Sequence, residues 1–519
     1  MTGRASKMKQ GMKSSIPVSE LCYYIFFCIL FLAKMTGFYD GQGVFKACLV
    51  LAAFFAFVKI VLTSYDLREF IAMAALAMLG LLVYRNSGEK SALVFLVTMM
   101  GFKNIPVHRM MKIGLAVGAL GFGAMVLKSM LGIGSEIVLA HHKFGMDILR
   151  KGSGYSHPNV LHVSYAVLVV LILFGIENNR DRMKAYVWTM LGNFVVFLYS
   201  VSYTGFMLVT LFIAFNLYFT YRKKFCRAEK VLIQCLFPAC VLFSLFAPLI
   251  VEPDTPLFDF LNKVLNRRFY ASRLYLQENP LTLLGNRIYA SHTYALDSSY
   301  VTLLLYGGII LFVLVCAGYL YAIYASMKKQ DARGLSILLS FAIAGVIEPF
   351  LFNLSFKNLS LLIIAGYLFS LCRNGRKVLL CGFLDREIGI SLPEVFGRGG
   401  RNAGLKGEIK AVFLSLALGM AAGGAFYFLG GLPETAYVGE KYCDIEGEKT
   451  FIPYSEAVKD VDAVFYGYTA GEEGMYKFGG ETIAFDRLRD TVRVIFVVTL
   501  AGYLVWGYWG SLKRDRGKE

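Results

Sequence analysis

Residues 297–325 read DSSYVTLLLYGGIILFVLVCAGYLYAIYA, and no charged residue interrupts the chain between Asp297 and Lys328. A helix needs about 20 predominantly apolar residues to cross a hydrocarbon core of about 30 Å, so this stretch is long enough to span a bilayer. Segments 43–63, 110–132, 158–176, 203–221, 230–250 and 409–429 are each about 20 residues long with few or no charges, enough to span as well. Backbone amides in lipid must be satisfied internally, so spanning segments are helices or strands of closed barrels. The alternating ten-residue segments of an outer-membrane barrel are absent from the sequence, which leaves helices. The fold expected is an all-α polytopic integral membrane protein with about 14 transmembrane helices. Composition agrees: 57% of the 519 residues are hydrophobic and 17% are charged, where soluble domains carry about 25% charged residues.

Helices are expected near 19–38, 43–63, 69–84, 91–102, 110–132, 158–176, 184–200 and 203–221, then near 230–250, 297–325, 333–352, 358–373, 409–429 and 489–511. The first lacks a small-residue cleavage site behind it and reads as a retained helix rather than a signal peptide. The formal net charge is +17, and the positive residues lie between helices, mostly on alternate sides. One side collects Arg4/Lys7/Lys9/Lys13, Lys103/Arg109/Lys112, Arg180/Arg182/Lys184, Arg222/Lys223/Lys224/Arg227/Lys230, Lys328/Lys329/Arg333, the 373–410 stretch and Lys513/Arg514/Arg516/Lys518. The positive-inside rule makes that side, and with it both termini, cytoplasmic. Topology therefore explains the charge, and nucleic acid is not an expected partner.

Along the chain this gives a twelve-helix body over 1–373 with outward loops 133–157 and 251–296. A basic, Gly-rich cytoplasmic linker follows over 374–408. The segment 409–519 is a pendant pair of helices carrying an extracellular acidic insert, 430–488, with strand-like runs such as Ala463 to Tyr468. No fixed-period repeat is visible. Of the ten Cys, only Cys443 faces outward in this topology, so no disulfide scaffold is expected. No Cys or His cluster has metal spacing, and neither a metal nor another cofactor is expected.

Two outward segments could carry chemistry. Gly154-Tyr155-Ser156-His157-Pro158-Asn159 stands directly before a helix. Pro suits the first helical turn and the residue ahead of it can cap, while an unpaired helix N-terminus suits a phosphate. A capped start alone also explains the pattern. The 251–296 loop holds Arg267, Arg268, Arg273 and Arg287, with His292 and then Asp297. Outward loops are normally poor in Arg, and the guanidinium fork matches phosphate oxygens in a bidentate way. Anionic lipid headgroups or plain salt bridging are the simpler explanations. Within the helices, Lys34, Lys46, Lys59 and Lys128 lie near ends and can snorkel. Glu348, followed by Pro349 and by Asn353 and Asn358, is costly in a membrane unless paired or facing a wet cavity.

At these positions the chain resembles the O-antigen and capsular polysaccharide polymerase (Wzy-type) family, related to the O-antigen ligases. It looks most like the capsule and exopolysaccharide polymerases of Gram-positive bacteria. Gly154 to Asn159 is similar to the family's Gly-x-x-His-Pro-Asn, and Ser200 to Gly205 (SVSYTG) to its Ser-Arg-Thr-Gly turn. Arg273 through Gly285, then Leu296 to Tyr300 and Gly307-Gly308-Ile309, resemble its Arg-to-Gly loop and the helix that follows. Ile347-Glu348-Pro349 with Asn353 and Asn358 is similar to its late helix. Tyr203 departs from the family's Arg, His162 from a common Gly, and Asp297-Ser298 from the ligases' His-Asn pair. Helices thirteen and fourteen with their insert have no counterpart.

The resemblance implies metal-independent glycosyl transfer at the outer face of the bacterial plasma membrane. An undecaprenyl-diphosphate-linked oligosaccharide would donate to a sugar hydroxyl of a second lipid-linked unit, with other polysaccharide assembly proteins as further partners. Arg267, Arg268 and Arg273, with Arg287 behind them, would steady the diphosphate leaving group. Asp297 and His292, then Glu348, would serve as base. His157, Asn159, Ser299 and Tyr300 would line the substrate site. An O-antigen-type ligase differs only in its acceptor. A lipid-linked oligosaccharide flippase has a similar helix count, but transporters tend to place polar groups at mid-membrane between repeats.

Overall fold

The computed structural model describes residues 14–516 except 134–135, 144, 223, 290, 292–293, 353–355, 371–376, 379–384, 391–404, 431–432, 445–450, 461 and 468–473. His292, Asn353 and most of the 374–408 linker thus lie outside the described residues. The helices begin with α1 Val18–Met35, α2 Gly43–Leu62, α3 Leu67–Ser87, α4 Ser91–Met100, α5 Val107–Met130 and α6 Pro158–Gly175. They continue with α7 Asn179–Ser200, α8 Tyr203–Tyr221, α9 Arg227–Ile250, α10 Pro256–Val264, α11 Arg268–Glu278 and α12 Ser299–Lys328. The last are α13 Ala332–Ala344, α14 Ser360–Phe369, α15 Leu405–Leu429, α16 Tyr454–Ala457 and α17 Glu481–Arg516.

Among the described residues, nine helices are long and apolar enough to cross a membrane, and α4, α13 and α14 are shorter apolar helices. This is a polytopic, mostly helical membrane protein. A helix stands at each of the fourteen expected places, but five of them are shorter or more polar than a full span.

Two boundaries differ from expectation for local reasons. The helix expected over 333–352 ends at Ala344. Pro349 has no N–H to donate and pushes Glu348 into extended backbone (φ −133°, ψ 137°), so the chain leaves the helix before it. The 251–296 loop is not irregular throughout, since it holds α10 and α11.

The chain divides into two compact units, one comprising 1–121, 167–175 and 207–393, the other 122–166, 176–206 and 394–519. In the first, strand β1 (Ser14–Pro17) pairs with β6 (Glu387–Ile390), and β2 (Tyr65–Asp66) with β5 (Lys377–Val378). Ser19 donates to Asp385, Arg109 pairs with Glu20 and Lys103 with Glu69. Each of these joins segments assigned by charge to the same side. Lys59 does not snorkel to water: it is fully buried and its Nζ donates to the Lys103 carbonyl at 3.0 Å.

In the second unit, β3 (Val138–Lys143) pairs with β4 (Met146–Lys151) and β8 (Cys443–Asp444). The insert forms a four-stranded sheet in the order β10 (Ala463–Tyr466), β7 (Thr435–Gly439), β11 (Gly474–Phe478), β9 (Phe451–Pro453). Val138, Ala140 and Leu149 share one apolar cluster with Ala436, Val438 and Phe478. Lys151 is paired with Asp486 at 2.9 Å. The C-terminal region therefore packs with residues far upstream instead of hanging from the end of a 1–373 body. The sequence-linear division misses this because the join is made by strand pairing across some 300 residues of chain.

Candidate functional site

In the first unit the turn between α10 and α11 passes through Asn266 and Arg267, both at positive φ (52° and 64°). Such geometry costs about 1–3 kcal/mol per non-glycine residue, and it sets the phase of α11. Helical spacing then buries Arg268, Ser272 and Tyr275 and leaves Arg267 exposed. The Arg268 Nε donates to Asp297 Oδ2 at 2.9 Å, and its Nη2 reaches Glu348 Oε1 at 3.5 Å. Arg268 is 8% exposed and Glu348 6%. One guanidinium thus holds two carboxylates from segments 29 and 80 residues away. Burial raises the Asp297 carboxyl above its ordinary range, while Arg268 pulls it back.

Leu296 and Pro349, the chain neighbours of Asp297 and Glu348, line a cavity of about 280 Å³ that the two carboxylates themselves do not line. Glu89, Tyr275, Thr302 and Tyr306 give it a polar face. The Tyr275 hydroxyl donates to the Tyr294 carbonyl (2.9 Å) and accepts from Ser291 N–H (3.1 Å). Beside the cavity, α12 breaks at Gly308 (φ 77°, ψ 170°). The loop around Gly285 fills the break: Ile309 N–H donates to Thr282 at 3.0 Å, and Asn286 N–H to Leu305 at 3.3 Å. A side chain on Gly308 would strike Gly285 N and the Leu283 carbonyl, and one on Gly285 the Tyr306 carbonyl.

The remaining sequence-chosen residues are placed differently. Arg273 donates to the Pro248 and Val251 carbonyls, both at 2.9 Å. It closes the C-terminal end of α9 in place of a diphosphate. Arg287 is exposed and its Nε stands beside Gly88, next to the cavity residue Glu89. Ser299 and Tyr300 are fully buried and donate to the Glu348 and Ala342 carbonyls. They hold the backbone of the site and do not line the cavity. Asn358, also buried, donates to the Leu351 carbonyl at 2.8 Å.

In the second unit, His157 is a helix cap, its Nδ1 accepting from Asn159 N–H at 3.1 Å. Asn159 Oδ1 accepts from Arg150 Nη2 (2.8 Å), and Arg150 Nε donates to the Ser200 carbonyl (2.7 Å). Arg150 therefore ties the His-Pro-Asn helix start to the SVSYTG turn, where His162 bridges Ser200 and Asn193, both at 2.8 Å. The sequence reading missed Arg150, although the argument applied to the 251–296 loop, cations on a disfavoured side, applies equally to 133–157. Arg150→Ala would leave the buried Ser200 carbonyl and the half-buried Asn159 amide oxygen without a charged donor, each such bond worth about 1.5–3 kcal/mol. Thermal unfolding in detergent should register a clear loss, with Arg150→Lys recovering part of it.

The chain matches no known family, no characterised protein and no solved structure.

Proposed function

We propose that this chain is a membrane polysaccharide polymerase, transferring glycan from a lipid diphosphate to a sugar hydroxyl of a second lipid-linked unit. We further infer fourteen spans, both termini in the cytoplasm, and a place in the bacterial plasma membrane. The observation that carries this reading is the Arg268-held pair of Asp297 and Glu348 beside a partly polar cavity. Asp297 takes the proton of the acceptor hydroxyl as its oxygen bonds to the anomeric carbon, and the bond from that carbon to the diphosphate breaks. The cluster sets two carboxylates against one guanidinium, so it suits a proton acceptor and repels a diphosphate. The exposed Arg267 and Arg287 supply the cations for the leaving group. Arg268 and Arg273 position backbone and carboxylates. The motif resemblance to O-antigen and capsule polymerases points to the same reaction, and a ligase would differ in acceptor alone.

In a polysaccharide-producing strain, cells carrying Asp297→Asn should lose long polymer and accumulate single lipid-linked units on the outer face. Units trapped inside would indicate a flippase, and normal polymer would refute the base. Because burial raises the Asp297 carboxyl, the acid limb of the pH–rate profile should lie above the ordinary carboxylate range. Asp297→Glu should keep a displaced limb, and Asp297→Asn should have none.

A further inference from the structure

The cavity of about 280 Å³ carries one sign of charge in its wall: Glu89 lines it, and no Lys, Arg or His does among the described residues. Local signals place the acid. Gly88 (φ 76°) ends α3 in the left-handed conformation, and α4 begins two residues past Glu89. The positive end of α4 favours a negative charge there, which alone would explain an acid on the surface. Glu89 is instead half-buried at the cavity. Among the described residues its carboxylate accepts one hydrogen bond, from the Ser91 hydroxyl at 3.4 Å, and has no ion pair. The nearby cations leave it uncompensated: Lys90 is paired with Asp40 at 3.1 Å, and Arg287, beside Gly88, makes no ion pair with it. The rings of Phe95, Tyr275, Tyr306 and Phe352 form much of the remaining wall. The Tyr275 hydroxyl is engaged by Tyr294 and Ser291, whereas the Tyr306 hydroxyl makes no hydrogen bond among the described residues.

We propose that this cavity receives the ammonium group of an amine-bearing ligand, with Glu89 as its counter-ion and the Tyr306 hydroxyl as a second acceptor. An ammonium makes a charge-assisted hydrogen bond to a carboxylate and is attracted to the faces of aromatic rings. The same wall repels a phosphate or a second carboxylate. A neutral hydroxyl can bond to Glu89 but leaves its charge without a counter-ion in a half-buried site. Resting on the polymerase reading, the ammonium is that of an amino sugar in the acceptor unit. It seats that sugar against Leu296, the neighbour of Asp297, and makes Glu89 a specificity-determining residue.

The test is saturation-transfer difference NMR on the full-length protein in amine-free phosphatidylglycerol nanodiscs, with glucosamine, N-acetylglucosamine, glucose and ethanolamine as probes. Glucosamine should bind about tenfold more tightly than glucose or N-acetylglucosamine, the effect of one charge-assisted hydrogen bond. Glu89→Gln keeps the side-chain shape, so it should erase that preference and unfold at the wild-type temperature. Tyr306→Phe should weaken the preference in part. Glucosamine that fails to bind or binds no tighter than glucose, or a preference that survives Glu89→Gln, would overturn the assignment. Ethanolamine matching glucosamine would overturn the amino-sugar identity and put a lipid headgroup in its place. A Glu89-dependent preference in a protein that makes no polymer would keep the ammonium site and refute the polymerase reading. Polymer synthesis without any amine preference would do the reverse.

Discussion

Replacing Arg268 by alanine is expected to abolish polymer formation and to cost about 3–5 kcal/mol of stability, as when one partner of a buried ion pair is removed. The reason lies in the geometry: Asp297 and Glu348 converge on one guanidinium (2.9 and 3.5 Å), and Glu348 has little access to water. Removing the cation leaves two carboxylates facing each other in a low-dielectric site. A second variant separates folding from function. Replacing Arg268, Asp297 and Glu348 together by Met, Leu and Leu removes all three charges, and well-packed apolar replacements of buried ion groups are often neutral or stabilising. That triple variant should unfold near the wild-type temperature and make no polymer. Recovery of both stability and polymer would show that the cluster is only a scaffold.

The second large effect is expected at Gly308. Its φ of 77° and ψ of 170° belong to a region that is essentially glycine-only, costing another residue about 1–3 kcal/mol. The added Cβ would also strike backbone atoms of Gly285 and Leu283, which cannot rotate away. Gly308→Ala should therefore lower the unfolding temperature sharply and lose activity, because the Gly285 loop beside the cavity would be expelled from the helix break. Gly307→Ala is the control. Its Cβ would meet only the ends of the Leu311 and Leu303 side chains at 3.1 and 3.3 Å, and alanine favours a helix over glycine. Equal damage from both would mean that the break is not what holds the loop.

The membrane spans were legible because a 20-residue apolar run has few other fates, and the cap at His157 was legible because Pro158 marks a helix start. Four arginines in one loop also marked the segment that carries the buried Arg268 cluster. Which of them turns inward was not legible. Arg267 and Arg268 are adjacent, and only the phase of α11, set by two residues at positive φ, turns one inward. The role of Arg273 was equally hidden, since it depends on where α9 stops. The break in α12 left a trace in Gly307-Gly308, but its partner at Gly285 lies across a turn that hydropathy cannot see. The pairing of β3 with Cys443–Asp444 had no local signal, because strand register between distant segments is set by their joint packing.

The most direct measurement is polymerisation by the purified chain in liposomes supplied with a lipid-linked repeat unit and nothing else. Wild-type protein should give a ladder of lipid-linked chains, while Asp297→Asn, unfolding at the wild-type temperature, should leave the single unit unchanged. A ladder of undiminished rate from Asp297→Asn, or none from the wild type with its lipid-linked units intact, would contradict the account.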